Sequence, residues 1–433
     1  MEDNKSSSLH ALLIAVDCYL PNRLPNGGFY PSLGGCVSDI NRIENFLTQK
    51  IGLVSDNILK LTASNSGKTE PSEPSDKWPT YDNMVRAFNQ IIEKSVSGDQ
   101  VCIYYSGHGG RTKTAFPKLK GEDGLDETLV PTDIGNSEAR YLRDIEIAHL
   151  LKKMIDKGLV VTMIFDSCHS GGATRGNIGV ATRGISEIDN TKRPTDSLVA
   201  STEELSKTWA QLNETSKTRN IESGSGWLPQ SGSGGYVLLA ACKPSESAIE
   251  DNFGDIRSGV LTHYFLESLA KQIGSGFTYK RLHDQVIAKV HSKYPSQTPL
   301  LEGDANRTVF GSDHVQPAFA VNVMDINDEN NEILLSTGQS QGIKKGSQFA
   351  IYPSGVTDFT QVDKRLAIAE ITKLGASDSW AKITTKFGQQ GIEQGAQAVL
   401  VDLGSINLAR KIVLTQQSND IIPSSINQSE ALE

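Results

Sequence analysis

The sequence predicts an α/β domain built on a mostly parallel sheet, followed by a small all-β domain. Three observations predict it. Over the first 310 residues, short apolar, β-branched runs alternate with apolar stripes at helical spacing, the pattern of βα units. Two of those runs lead into Gly-rich segments, Tyr104–Gly110 and Ile164–Gly172, which carry a histidine and a cysteine. After Thr308 the stripes stop, and short strand-like runs recur between Gly-, Asp- and Asn-rich turns.

In chain order, strands are expected at Leu12–Val16, Ile58–Thr62, Val101–Tyr105, Val160–Phe165 and Tyr236–Ala241. A helix over Asp39–Gln49 would bury Ile40, Ile43, Phe46 and Leu47. One over Met84–Glu93 would bury Val85, Phe88, Ile91 and Ile92, and one over Ile145–Ile155 would bury Ile145, Ala148, Leu151 and Ile155. Ser64–Pro79 reads as a mobile loop, and Leu261–Gln272 and Tyr279–His291 as amphipathic helices. Residues 173–235 have linker composition, rich in Ser, Thr, Gly, Asn and basic residues. An irregular stretch of about 60 residues inside a domain is expected only where it is functional or disordered. Trp209, Trp227 and Leu228 are its candidates for docking onto the domain. The expected domains are therefore residues 9–310, comprising a large region 9–172, a flexible linker 173–235 and a small region 236–310, then a β barrel or sandwich over 315–410 and a polar tail over 411–433.

A net charge of −9 excludes nucleic-acid binding by bulk charge. Five cysteines (18, 36, 102, 168 and 242), an odd number without CxxC spacing, fit a reducing compartment. The polar start Met1–Ser8 does not read as a signal peptide, and no apolar run reaches membrane-spanning length. The expectation is a cytoplasmic protein with neither a membrane nor a nucleic-acid partner.

The chemistry lies in the two Gly-rich segments. In a parallel α/β sheet, loops leaving the C-terminal strand ends gather functional groups. One such loop would deliver His108 and the next Cys168. A free thiol is only a few per cent thiolate at neutral pH, so a nucleophilic cysteine needs a base within reach. A histidine can take that proton and later protonate a leaving amine. The tetrahedral intermediate needs aimed N–H donors, for which Gly109 and Cys168 are the candidates. Taken singly, Cys168 could be a buried core thiol and His108 a solvated turn residue. Together, at the ends of two strands, they read as a nucleophile and its base.

These segments resemble the caspase-like cysteine peptidases, most closely the metacaspases and the bacterial orthocaspases. The resemblance rests on six motifs in order: Leu12–Val16, Leu33–Asp39, Tyr105–Gly109, Glu122–Pro131, Asp166–Gly171 and Tyr236–Cys242. It implies a single six-stranded sheet flanked by helices, with His108 as base and Cys168 as nucleophile. The family's acidic S1 floor maps onto Asp39 and Asp166, with Cys36 and Ser106 beside them. Two carboxylates there favour an Arg or Lys side chain and repel an acidic one. Without the resemblance, Asp39 reads as the cap of the helix Asp39–Gln49; with it, as part of the pocket. Many metacaspases need calcium. Asp123 and Asp144 match part of that site, but Arg143 and Arg175 bring cations where calcium wants oxygens, so no metal or other cofactor is expected.

The reading is a cysteine endopeptidase acting on protein or peptide substrates with basic P1 residues, with the C-terminal β domain binding a regulatory protein. A catalytically silent caspase-like scaffold is the alternative. A peptidase of this specificity, carrying a basic linker, is expected to cut itself there. Arg175, Arg183 and Arg219 are the candidate sites, and Val180–Gly184 is the best segment, with small residues before Arg183 and a glycine after it.

Overall fold

A computed structural model describes residues 7–168, 180–217, 227–228, 235–271, 277–314, 320–356, 359, 362–388 and 391–402, the side chains of 213–217 and 271 excepted. The chain divides into two compact units, Met1–Gln316 and Pro317–Glu433.

The first unit is built on a six-stranded sheet. Its strands, numbered in chain order, are β1 (Leu9–Val16), β2 (Ile58–Ala63), β3 (Gln100–Ser106), β4 (Val160–Asp166), β5 (Tyr236–Ala240) and β6 (Leu300–Gly303). The order across the sheet is β6-β5-β4-β3-β1-β2, parallel except for β6. The strands are apolar because helices cover both faces: β1 is buried at seven of eight positions and β5 at all five. The sixth strand, Leu300–Gly303, was not among the runs read as strands; it pairs antiparallel with β5.

Three features of this sheet position the site. The order reverses between β1 and β3, the crevice where ligands bind in open α/β sheets. The register sets Ala15, Ser106 and Asp166 side by side at the C-terminal ends of β1, β3 and β4. Two small antiparallel sheets flank that edge: Gly109–Lys113 with Leu125–Leu129 and Leu142–Arg143, and Ile256–Gly259 with Ile249–Phe253 and Ala181–Thr182.

The helices lie close to their expected places, at Cys36–Phe46, Tyr81–Lys94, Asp144–Asp156, Val260–Lys271 and Tyr279–Lys293. Thr80 caps the second, its side chain accepting from the Asn83 N–H at 3.2 Å. The first ends in a π-helical turn over Leu47–Ile51.

The expectation of a flexible linker over 173–235 needs correction in its described part. Ala181–Thr182 is a strand and Thr202–Lys217 a helix. The segment between them is fixed by polar contacts that composition does not reveal. Arg193 pairs with Asp189 at 3.0 Å and donates to the carbonyls of Ile134 and Asn136 at 2.8 and 2.7 Å. Trp227 is buried, its ring 4.9 Å from that of Phe165. The second unit is a closed six-stranded antiparallel barrel, Ala320–Asn327 to Gln397–Asp402, filled by Val323, Ile333, Leu335, Phe349, Ile351 and Ile371.

Candidate active site

His108 lies two residues past the end of β3. Its backbone N–H donates to the Tyr19 hydroxyl at 2.7 Å, and its ring lies against those of Tyr19 and Tyr30. Nε2 is 2.7 Å from the Pro31 carbonyl oxygen. A carbonyl only accepts, so Nε2 carries the proton and Nδ1 holds a free lone pair. Nδ1 is buried with no hydrogen-bond partner among the described residues. Burial lowers the His108 pKa to about 4, so the ring is neutral at neutral pH.

Cys168 lies just past β4 and is buried. Its backbone N–H and that of Gly109 both donate to one atom, the carbonyl oxygen of Arg183, each at 3.1 Å. The approach is close enough that a side chain at Gly109 would collide with the Cys168 carbonyl. A Cβ at Gly184 would lie 2.7 Å from the Cys168 sulfur, so that sulfur sits against the Arg183–Gly184 junction.

The chain around Arg183 is extended and held by backbone pairing. Thr182 and Ala181 pair antiparallel with Ile249 and Glu250, the Arg183 N–H donates to the Ala248 carbonyl at 2.9 Å, and Gly184 bridges Gly109. A strand added to a sheet edge is a general way to hold a peptide.

The Arg183 side chain is fully buried. One terminal nitrogen lies 2.7 Å from Asp39 Oδ2 and 3.1 Å from Glu250 Oε2. The other lies 3.2 Å from Asp166 Oδ2 and donates to Ser106 Oγ at 2.8 Å. Burial opposes its charge, but Asp166, Cys36, Asp39 and Glu250 outweigh that and hold it protonated. Burial pushes the Asp39 carboxyl up against the pull of Arg183, and burial also pushes the Cys36 thiol up. Burial raises Glu250 as well, yet Arg183 and Arg257 outweigh it and hold that carboxyl below its usual range.

Of the residues singled out in the sequence, Cys36, Asp39, Ser106 and Asp166 thus surround one guanidinium, while Gly109 and Cys168 surround its carbonyl. Asp39 does not cap its helix; Asp17 does, accepting from the N–H groups of Cys36 and Val37 at 2.8 and 3.1 Å. Arg175 and Arg219 lie outside the described residues. Glu250 and Ser258 were missed. Glu250 forms the third acidic wall, and Ser258 Oγ donates to Asp39 Oδ1 at 2.5 Å. Gly259 is also required, because a side chain there would fill the space between Asp166 and Arg183.

Asp17, Cys36 and Glu250 bring possible metal-ligand atoms within 4.8 Å of one another. Their lone pairs are already engaged, by the helix N-terminus for Asp17 and by Gly34, Arg257 and Arg183 for Glu250. Asp123 is exposed, whereas Asp144 is buried against Lys120 at 2.6 Å.

Comparison with known proteins bears on residues 10–175 of this unit. Residues 10–175 match the family model "Metacaspase, peptidase C14 domain". Over these residues the chain is similar to a metacaspase peptidase C14 domain. That places the domain among the caspase-like cysteine peptidases. A Metacaspase-1 of Mycosarcoma maydis is 28% identical over 308 residues, covering 67% of this chain and 69% of that protein. A Metacaspase-1 of Kluyveromyces lactis is 26% identical over 309 residues, covering 67% and 65%. In Saccharomyces cerevisiae a Metacaspase-1 is 33% identical over 160 residues, covering 36% and 34%. The last two matches span less than two thirds of the relative.

Proposed function

We propose that this protein is a cysteine endopeptidase that cleaves after Arg or Lys through His108 and Cys168, and that its first substrate is its own Arg183–Gly184 bond. One observation carries the reading: the Arg183 carbonyl lies on the Gly109 and Cys168 N–H groups while its guanidinium lies among Asp39, Asp166 and Glu250. In this reading Arg183 is a basic P1 residue held in the chain's own cleft.

The proposed steps are those of a cysteine nucleophile with a histidine base. Neutral His108 takes the Cys168 thiol proton on Nδ1, its only free nitrogen. The thiolate attacks the Arg183 carbonyl carbon, and the electron pair of the C=O moves onto an oxygen already bound by two N–H donors. Collapse breaks the Arg183–Gly184 C–N bond, and His108 returns its proton to the Gly184 nitrogen. Water, deprotonated by His108, then cleaves the thioester, leaving a carboxylate on Arg183 and the thiol on Cys168. Departure of Arg183 opens the pocket and the strand edge at Ala248–Glu250 to other substrates.

Both terminal nitrogens of the guanidinium are paired, so Arg is favoured over Lys, whose single ammonium cannot span Asp166 and the Asp39–Glu250 side together. Three carboxylates reject acidic P1 residues. The barrel, which shows an apolar filling and no nucleophile–base pair among its described residues, is assigned the binding of a regulatory protein. A fluorogenic peptide panel varied at P1 tests the reading, using wild type and Cys168→Ala. Turnover of Arg and then Lys substrates by wild type alone supports it. Turnover of Asp substrates, or by Cys168→Ala, contradicts it.

A further inference from the structure

A second charge cluster lies outside the substrate cleft. Lys120 ends a single helical turn, Pro117–Lys120, and only 10% of its side chain is exposed. Its ammonium is surrounded by oxygens: both carboxylate oxygens of Asp144 at 2.7 and 2.6 Å, Asp126 Oδ1 at 2.8 Å and the Leu125 carbonyl at 3.2 Å. The Trp209 ring covers it, 4.6 Å from centroid to nitrogen. The other oxygen of Asp126 pairs with Arg143 at 2.5 Å.

These partners belong to the elements that shape the catalytic edge. Asp126 is on Leu125–Leu129, which pairs with the strand Gly109–Lys113 that leaves His108, with Leu129 opposite Gly109. Asp144 opens the helix Asp144–Asp156 and accepts from the Ile145 and Glu127 N–H groups at 2.8 and 3.3 Å. Trp209 lies on Thr202–Lys217, downstream of the Arg183–Gly184 bond. One ammonium therefore ties together the strand beside Gly109, the start of a core helix and a helix of the linker.

We propose that Lys120 is a tethered cation that positions the His108–Gly109 hairpin, holding the two carboxylates a divalent cation would otherwise have to hold. The proposal rests on the peptidase reading of His108 and Cys168. Calcium, which the resemblance to metacaspases raised, does not fit here. It needs six to eight oxygens at about 2.3–2.6 Å. The oxygens present are already occupied by an ammonium. Two buried carboxylates without a cation repel each other and lose hydration, so the cation is required, and a chelator cannot remove this one. Burial and Asp126 push the Asp144 carboxyl up against the pull of Lys120, consistent with a site poorly compensated once the lysine is gone. Lys120 touches no reacting atom; it is a positioning residue.

Removing the ammonium while keeping the bulk, as in Lys120→Met, leaves Asp126, Asp144 and the Leu125 carbonyl facing an uncharged side chain. That variant is expected to gain cation binding. In the Cys168→Ala background, where no turnover is needed, terbium emission sensitised by Trp209 should appear with Lys120→Met and be absent with Lys120. Calcium should raise the melting temperature of the variant alone. In the active background, Lys120→Met should lose about tenfold or more in kcat. Millimolar calcium or methylammonium should restore part of it, while wild type is insensitive to chelator and calcium. A purely structural lysine gives no such rescue. The proposal is overturned if Lys120→Met keeps full activity, if it binds terbium no better than wild type, or if wild type itself needs calcium. Failure of wild type to cleave any basic peptide overturns the peptidase reading instead and leaves the terbium and melting comparisons to decide the fate of Lys120.

Discussion

The carbonyl oxygen of Arg183 accepts the backbone N–H of Cys168 at 3.1 Å. In the proposed reading, the amide of the nucleophile thus binds the bond that the nucleophile attacks. A group bound within its own chain's site reacts as an intramolecular partner, without the entropy cost of encounter. Self-cleavage should therefore be first order, with a half-life unchanged on hundredfold dilution. A half-life that lengthens on dilution indicates cutting between molecules.

Gly184 should control this step. A Cβ there would lie 2.7 Å from both the sulfur and the carbonyl oxygen of Cys168. Gly184→Val is expected to slow self-cleavage by about 100-fold, because a displacement of an ångström at the reacting centre costs that much. Intact-mass time courses of the two proteins measure it; equal rates refute the assigned geometry.

Glu250 should count as much as Asp39 for basic P1 residues. Its carboxylate lies 3.1 Å from the guanidinium with no exposed surface. Glu250→Gln should lower kcat/KM on Arg peptides by about 30-fold, about 2 kcal/mol, the range for removing one partner of a buried charge pair. Asp39→Ala should lose most activity on the same peptides. An unchanged Arg preference in Glu250→Gln excludes the third wall.

His108 should make stability depend on pH in a defined window. Its folded pKa is about 4, against an ordinary value of 6.5. Between those values the unfolded chain binds the proton and the native chain does not, so stability rises with pH. The contribution is complete above 6.5 and is lost as pH falls through 4. Denaturant unfolding of Cys168→Ala should thus lose stability across that window relative to Cys168→Ala/His108→Gln. A constant difference between the two shows that His108 titrates normally.

The sheet was legible because its strands are nearly continuous apolar runs between helical stripes. The sixth, Leu300–Gly303, was not: it is short, only half-buried and at the sheet edge. The residues around the Arg183 carbonyl were legible because Gly-rich loops at strand ends announce close backbone approach, as at Gly109. Glu250 and Ser258 left no signal. They sit on the hairpin Ile249–Gly259, and only the tertiary fold brings them to Asp39, more than 200 positions away in sequence. Lys120 was hidden for the same reason, on a four-residue turn whose partners come from two other elements. The order within 180–212 was obscured because Arg193 and Asp189 fix it through polar contacts, where composition registers only apolar content.

The most direct test is the mass of the fragments formed by purified wild-type protein, beside Cys168→Ala. The Arg183 carbonyl on the Gly109 and Cys168 N–H groups predicts two fragments, one ending at Arg183 and one beginning at Gly184, and full-length protein for Cys168→Ala. Wild-type protein that stays intact on prolonged incubation, or is cut elsewhere while Arg183–Gly184 survives, contradicts the account.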